Sequence, residues 1–284
     1  MTEIIYGHKL AAKFKTEIKR ETDRLCFMHK RMPCLAVIMV GDHPASLSYI
    51  RAKEKACKEV GILSRTYVLD KAISQQELEE VISACNEEEE IDGILLQLPL
   101  PSMLDEEHAL AVIDPRKDVD GLHSENIARL YLKKPGFIPC TPSGIMALLE
   151  YMHCDLDGRH AVVLGRSRLV GTPVSRLLLN ANATVTICHS HTSNLSVLTR
   201  QADVLIAAVG KANYVTADMV KEGVFVVDVG VNRLADGHLC GDVDFAHVKE
   251  KAAAITVVPG GVGPMTIVML LKNTLQAYQE RTGC

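Results

Sequence analysis

A lysine on the wrong face of a helix is the first residue whose placement suggests chemistry. Residues 46–60, SLSYIRAKEKACKEV, read as a helix at about 100° per residue. Tyr49, Ile50, Ala56, Cys57 and Val60 share one face, and Arg51, Lys55 and Lys58 share the other. Lys53 falls in the middle of the apolar face. Desolvation there disfavours the ammonium and pulls its pKa below the usual ~10.4. A lysine poised nearer neutrality can give or take a proton. Tyr49 lies one helical turn before it, and Ser46 precedes Tyr49 on the same side. The same geometry also allows the lysine stem to pack while its ammonium escapes to water.

Two polar stretches downstream supply company for that lysine. DGILLQLPLP, residues 92–101, delivers Gln97 at the carboxyl end of a strand, before a proline-stiffened loop. KDVDGLH, residues 117–123, offers Asp118 and Asp120, which suit a cationic or amide-like substrate group. Asp118 fits a turn or helix cap equally well.

A second centre lies in the other half of the chain. VVLGRSRLVGTPVS, residues 162–175, is a buried strand, a glycine turn and a helix start. Free N–H groups and the dipole at such a helix start favour a pyrophosphate. Gly165 permits a tight turn, and Gly171 lets the helix sit close to its neighbours. The spacing departs from GxGxxG, so the motif alone is also compatible with an ordinary tight βα loop. The following strand ends in CHSHT, residues 188–192, where an NAD enzyme carries an acid for the ribose 2′-hydroxyl. Here stand His189, Ser190 and His191, with Arg166 near the same corner. A hydroxyl and a guanidinium suit a 2′-phosphate that an acid would repel, so NADP is expected over NAD. His191 is equally readable as a solvated loop residue. Glycines also follow the strands at AAVGK (207–211) and DVGVN (228–232), as backbone approach to a ligand or an ordinary turn requires.

These residues need a frame. Strand-like and helix-like stretches alternate, which predicts α/β architecture around mainly parallel sheets. Strands are expected at 34–40, 65–69, 93–97, 161–164, 184–188, 204–207, 224–227 and 255–258. Helices are expected at 45–60, 75–86, 143–152 and 266–279. KKPGFIPCT, residues 133–141, breaks the pattern and marks a domain boundary. The acidic run Glu87, Glu88, Glu89 and Glu90 opposes a helix dipole, so most of it is expected in a solvated loop with no function assigned. The 284 residues with 48% apolar and 23% charged composition suit two modest globular domains. A net charge of −4 argues against general nucleic-acid or anionic-membrane binding. No apolar run approaches roughly 18 residues, so no spanning helix is expected. The charged start MTEIIYGHKLAAKFK does not read as a secretory signal, and a cytoplasmic protein is expected. The nine cysteines form no CxxC pair, so neither a metal site nor a disulfide framework is expected.

Taken in order, PASLSYIRAKEKA, DGILLQLPLP, KDVDGLH, PCTPSGIMALL, VVLGRSRLVGTPVS and VVPGGVGPMT resemble the bifunctional methylenetetrahydrofolate dehydrogenase/cyclohydrolase family across nearly the whole chain. The resemblance implies an N-terminal α/β folate-binding domain, 1–140, completed by the C-terminal helix 264–284. It implies a Rossmann NADP-binding domain over 141–263, with the folate in a cleft between them. It implies a homodimer joined through the Rossmann domain. The implied activity is NADP-dependent oxidation of 5,10-methylenetetrahydrofolate, then hydrolysis of the methenyl product to 10-formyltetrahydrofolate. Lys53 matches the lysine of the hydrolytic step, and Gln97 the residue that contacts and tunes it. Tyr49 matches the tyrosine stacked on the p-aminobenzoyl ring, and Asp120 the pterin anchor. Gly165, Arg166, Ser167, Ser190 and Val231 match the NADP contacts. Pro259, Gly260 and Gly261 open the loop beside substrate and nicotinamide. Arg168 stands at a variable position. Two rival readings need different residues. A dehydrogenase of small carboxylic acids would rely on Arg129 and His123, and a non-catalytic NADP or folate sensor would be expected to have lost Lys53 or Gln97.

Overall fold

The computed structural model describes residues 2–41 and 44–283, with the side chains of residues 44–48 outside the description. Ser46 is therefore outside the described side chains. The first half runs β1 (Glu3–Ile5), α1 (Gly7–His29), β2 (Cys34–Val40), α2 (Pro44–Val60), β3 (Leu63–Leu69), α3 (Gln75–Glu87), β4 (Gly93–Leu96), α4 (Glu106–Val112) and α5 (Ser124–Tyr131). The second half opens with α6 (Cys140–Tyr151), β5 (His160–Leu164), α7 (Gly171–Asn180), β6 (Thr184–Cys188), α8 (Leu195–Thr199) and β7 (Val204–Ala207). It closes with β8 (Phe225–Asp228), β9 (Asn232–Arg233), β10 (Leu239–Cys240), α9 (Phe245–Val248), β11 (Ala254–Thr256) and α10 (Val262–Thr282).

The chain forms two compact units, Lys13–Cys140 with Ile267–Cys284, and Met1–Ala12 with Thr141–Thr266. The first holds a parallel sheet in the order β3-β2-β4. Every residue of β2, CLAVIMV, is buried, as a central strand covered on both faces demands. Ile38 and Leu96 join Leu78, Ile82 and Ile113 in its core. The second holds a six-stranded parallel sheet in the order β1-β11-β8-β7-β5-β6. Its order reverses around β5, which pairs with β6 on one side and β7 on the other. A crevice at the carboxyl ends of strands flanking such a reversal is where doubly wound sheets take ligands.

Strand β1 pairs in register with β11, Glu3 to Ala254 through Ile5 to Thr256, so in contacts residues 1–12 group with the six-stranded sheet. Three residues are too few to announce themselves as a strand, and an edge position needs no long apolar run.

The acidic run lies as expected for most of its length: Glu87 ends α3, and Glu88, Glu89 and Glu90 follow in a solvated loop, where Glu88 and Glu90 pair with Arg65 of β3. The unfavourable charge at the end of α3 is offset from elsewhere in the chain. Lys117, 4% exposed, donates its Nζ to the carbonyls of Cys85, Asn86 and Glu88 at 3.1, 2.7 and 2.8 Å. Cations at a helix C-terminus satisfy its orphan carbonyls and complement its dipole. Burial pushes the Lys117 ammonium down to about 8.

Candidate active site

The first centre is built where α2 meets the end of β4. Lys53 is 6% exposed, so its ammonium does not escape to water. Its Nζ donates to Gln97 Oε1 at 2.8 Å. Gln97 is held in turn by its own backbone N–H on Ile38 O, 2.8 Å, and by its Nε2 on Leu98 O, 2.7 Å. The strand end thus fixes the amide so that its oxygen faces the lysine. Tyr49 stands one turn earlier on α2, with Lys53 Nζ 5.6 Å from its ring centroid. Tyr49 is 40% exposed.

Burial holds the Lys53 ammonium below the usual lysine range, while the Asp120 carboxylate pulls it back up. Burial likewise lifts the Asp120 carboxyl above its usual range, opposed by Lys53. Burial thus shifts both groups toward their neutral forms, and each charge opposes that shift in the other. Asp118 plays a different part. Its carboxylate accepts from Leu122 N, His123 N and Asn126 Nδ2 at 3.2, 2.8 and 2.9 Å, so it ties down the loop and the start of α5. Between the two readings open for Asp118, the cap is the one its bonds satisfy. Its work leaves Asp120 as the aspartate that faces Lys53.

Cys140 was not singled out from the sequence. It is 2% exposed, its thiol donates to Val119 O at 3.3 Å, and it hydrogen-bonds the Asp120 carboxyl. Burial and the neighbouring Asp120 carboxylate push that thiol well up. The only sequence signal for it was its place in the PCTPSG motif.

The second centre lies at the carboxyl ends of β5, β6 and β7. A cavity of about 270 Å³ is lined by Gly165, Arg166 and Ser167 after β5, and His189 and Ser190 after β6. Ala208, Val209, Lys211 and Tyr214 after β7 complete its wall. Gly165 is indispensable to the turn: its φ is +111°, and a Cβ would lie 2.2 Å from Ala208 O. A Cβ on Gly171 would lie 2.3 Å from Gly165 O, so the start of α7 closes directly on the turn. Ser167 Oγ accepts from Val170 N and Gly171 N at 3.2 and 3.3 Å, which leaves its hydroxyl hydrogen free to donate. Among the described residues lining the cavity none is acidic, and Arg166 and Lys211 are basic. A dinucleotide fits this donor set: glycine-only backbone approach, a helix start for phosphate, and cations for a further anionic group. His191 packs edge-on to His189 with centroids 6.0 Å apart, and does not line the cavity. Val231 is 59% exposed and is also not among the lining residues. Lys211 and Tyr214 were missed as a pair, although AAVGK pointed at the first.

The third predicted segment follows β11. Pro259 is exposed, Gly260 has φ +101°, and Gly261 is buried. A Cβ on Gly261 would meet Val257 O at 2.4 Å, and one on Gly7 would meet Gly261 O at 2.0 Å. His8 N donates to Gly260 O at 3.1 Å. The chain start therefore clamps this loop through backbone contacts that only glycine permits. The loop belongs to the Rossmann unit, whereas Tyr49, Lys53, Gln97 and Asp120 belong to the other.

One unit thus carries a cavity suited to a dinucleotide, and the other a buried lysine held by an amide, the residue classes of a dehydrogenase with a second chemistry. Two family descriptions match the chain. The tetrahydrofolate dehydrogenase/cyclohydrolase catalytic domain covers residues 5–120, and its NAD(P)-binding domain covers residues 139–282. The bifunctional protein FolD of Streptococcus agalactiae is 51% identical over 277 residues, covering 98% of each chain. The solved bifunctional FolD dehydrogenase/cyclohydrolase of Campylobacter jejuni superposes with a TM-score of 0.97 at 48% identity, covering 99% of this chain and 100% of that one. The Trypanosoma brucei dehydrogenase-cyclohydrolase, solved with NADP cofactor and an inhibitor, gives 0.97 at 36% identity, covering 100% and 99%. The chain belongs to the tetrahydrofolate dehydrogenase/cyclohydrolase family and is a bifunctional enzyme of that kind. No helix among the described residues is long and apolar enough to cross a membrane.

Proposed function

We propose that this enzyme oxidises 5,10-methylenetetrahydrofolate with NADP⁺ and then hydrolyses the methenyl product to 10-formyltetrahydrofolate, with Lys53 as the proton-transfer group. The observation that carries the reading is the buried Lys53 Nζ, 2.8 Å from Gln97 Oε1 and coupled to Asp120. In the first step the folate nitrogen lone pair forms C=N as the hydride departs, so no strong base is required. Bound NADP⁺ supplies the hydride acceptor, C4 of its nicotinamide. The protein's share is orientation of two rings.

In the second step water adds to the methenyl carbon and the adduct loses a proton; the bond from that carbon to N5 then breaks as N5 gains a proton and the carbinol hydroxyl loses its own to become the formyl C=O, with one proton released overall. Neutral Lys53 takes the first proton, and its ammonium can return one to N5. A cationic substrate beside Lys53 lowers its pKa further by like-charge repulsion. Gln97 keeps the amine aimed, Tyr49 offers its exposed ring to the p-aminobenzoyl ring, and Asp120 receives the pterin. Gly165, Arg166, Ser167 and Ser190 hold the dinucleotide, with Arg166 and Ser190 recognising the 2′-phosphate. Val231 would contact it from the segment after β8, and Pro259, Gly260 and Gly261 would border the nicotinamide.

Reduced cofactor should form from 5,10-methylenetetrahydrofolate with NADP⁺ far faster than with NAD⁺. Preference for NAD⁺ would overturn the 2′-phosphate assignment, and no reduction with either would overturn the dehydrogenase assignment. We further propose a cytoplasmic homodimer, which cell fractionation and sedimentation equilibrium check.

A further inference from the structure

Beneath one wall of the cofactor cavity lies a carboxylate that is not among the cavity-lining residues. Asp242 is fully buried, at 0% exposure. Its Oδ2 accepts from Val209 N and Gly210 N at 2.6 and 2.9 Å, and its Oδ1 from Lys211 N and Asn232 Nδ2 at 2.9 Å each. Three consecutive backbone amides and one side-chain amide thus converge on one anion. Its approach is cleared by Gly230, where a Cβ would lie 2.1 Å from Asp242 Oδ1. The peptide on either side is bound as well. Asp242 O accepts from Val215 N at 2.9 Å, and Asn213 N donates to Gly241 O at 3.1 Å. A second buried carboxylate, Asp228, holds the support in place by accepting from Asp242 N, Val243 N and Gly230 N.

The loop gathered in this way carries the cavity wall. Ala208, Val209, Lys211 and Tyr214 all line the cavity, and Lys211 Nζ stands 5.3 Å from the Tyr214 ring centroid. Buried amides need acceptors, and a loop whose donors share one charged acceptor has few alternative conformations. We propose that Asp242 is the positioning residue of the cofactor pocket, fixing the 208–214 wall so that cofactor affinity depends on a carboxylate that never touches the cofactor. The inference rests on the NADP reading of this cavity.

Asp242→Asn keeps the shape but sets an NH₂ among four donors. Asn232→Ala removes one of the four bonds and keeps the charge. Both full-length variants are titrated with NADP⁺ by calorimetry and assayed for dehydrogenase KM and kcat. Hydrolysis of methenyltetrahydrofolate, which consumes no dinucleotide, and a thermal melt report folding. Asp242→Asn is expected to weaken NADP⁺ binding roughly tenfold or more, and Asn232→Ala roughly two- to fourfold. The losses should fall on KM for NADP⁺ with kcat at saturation nearly kept. Unchanged affinity in both variants overturns the proposal. So does a parallel loss of binding, hydrolysis and cooperative melting, which would make Asp242 a general stability residue. If Asp242→Asn fails to fold, Asn232→Ala decides alone, since an unchanged KM there overturns the proposal. Failure of the unaltered enzyme to bind NADP⁺ instead overturns the cofactor reading, and this inference with it.

Discussion

Replacing Lys53 should separate the two chemistries of this enzyme. Lys53→Met keeps the length of the side chain and its packing on the apolar face of α2, but leaves Gln97 Oε1 without its donor at 2.8 Å. A positioned acid or base contributes about 10²–10⁴ in rate, which is about 3–5 kcal/mol of barrier. Hydrolysis of 5,10-methenyltetrahydrofolate should fall by that factor. Hydride transfer, driven by a nitrogen lone pair, should fall less than roughly tenfold because it asks the lysine for orientation only. Lys53→Arg sharpens the test. Arginine keeps the positive charge but does not deprotonate in proteins, so it should be as poor in hydrolysis as methionine. The two activities are followed as loss of the methenyl chromophore and appearance of reduced cofactor. Hydrolysis within tenfold of the unaltered enzyme in Lys53→Met, or restored by arginine, would refute the proton-transfer role.

The pH profile carries a sign that follows from the same geometry. With neutral Lys53 as the proposed proton acceptor, kcat for hydrolysis should rise with pH through the lysine's depressed pKa and then level off. The Asp120 carboxylate raises that pKa against the effect of burial. Asp120→Asn removes the opposing charge, so the rising limb should move to lower pH even as KM for the folate increases. A limb that stays put, or moves to higher pH, would show that the two groups are not coupled.

Three further outcomes test the rest of the site. Tyr49→Ala should raise KM for the folate roughly five- to tenfold, the loss of about 1 kcal/mol of ring stacking, with little change in NADP⁺ affinity by titration. Gly165→Ala places a Cβ 2.2 Å from Ala208 O at φ +111°. It should cost about 1–3 kcal/mol of backbone strain, seen as a lower melting temperature and weakened NADP⁺ binding. Ser190→Asp restores the acid that NAD enzymes carry at this strand end. It should cut the NADP⁺/NAD⁺ preference in kcat/KM by roughly tenfold or more through charge repulsion, and an unchanged ratio would remove Ser190 from cofactor selection.

Much of this was legible in the residues because local rules act on them. The strand 34–40 is an unbroken apolar run, and it is the fully buried centre of its sheet. Helix 75–86 carries its own start signal, a capping box between Ser74 and Glu77, and ends within one residue of the expected position. Short elements were not legible. The first strand, α8, α9 and each strand of the β9–β10 pair span five residues or fewer, too few for a period to show. Helix α10 begins at Val262 instead of 266 because its first turn is VGPM, in which a glycine and a proline argue against helix until the packed loop fixes it.

The sequence by itself determined the alternation of strands and helices, the glycine turn of the dinucleotide site and the placement of Lys53 on an apolar face. Those are properties of neighbours along the chain, set by side-chain periodicity and backbone freedom. It left open whether Lys53 reaches water, which aspartate of KDVDG faces it, and what holds the 208–214 wall. Each of those depends on groups distant in sequence: Gln97 lies 44 residues from Lys53, and Asp242 lies 31 to 33 residues from the amides it gathers. Protonation and loop geometry follow from burial and from which donors meet which acceptors, and only the tertiary structure decides those meetings.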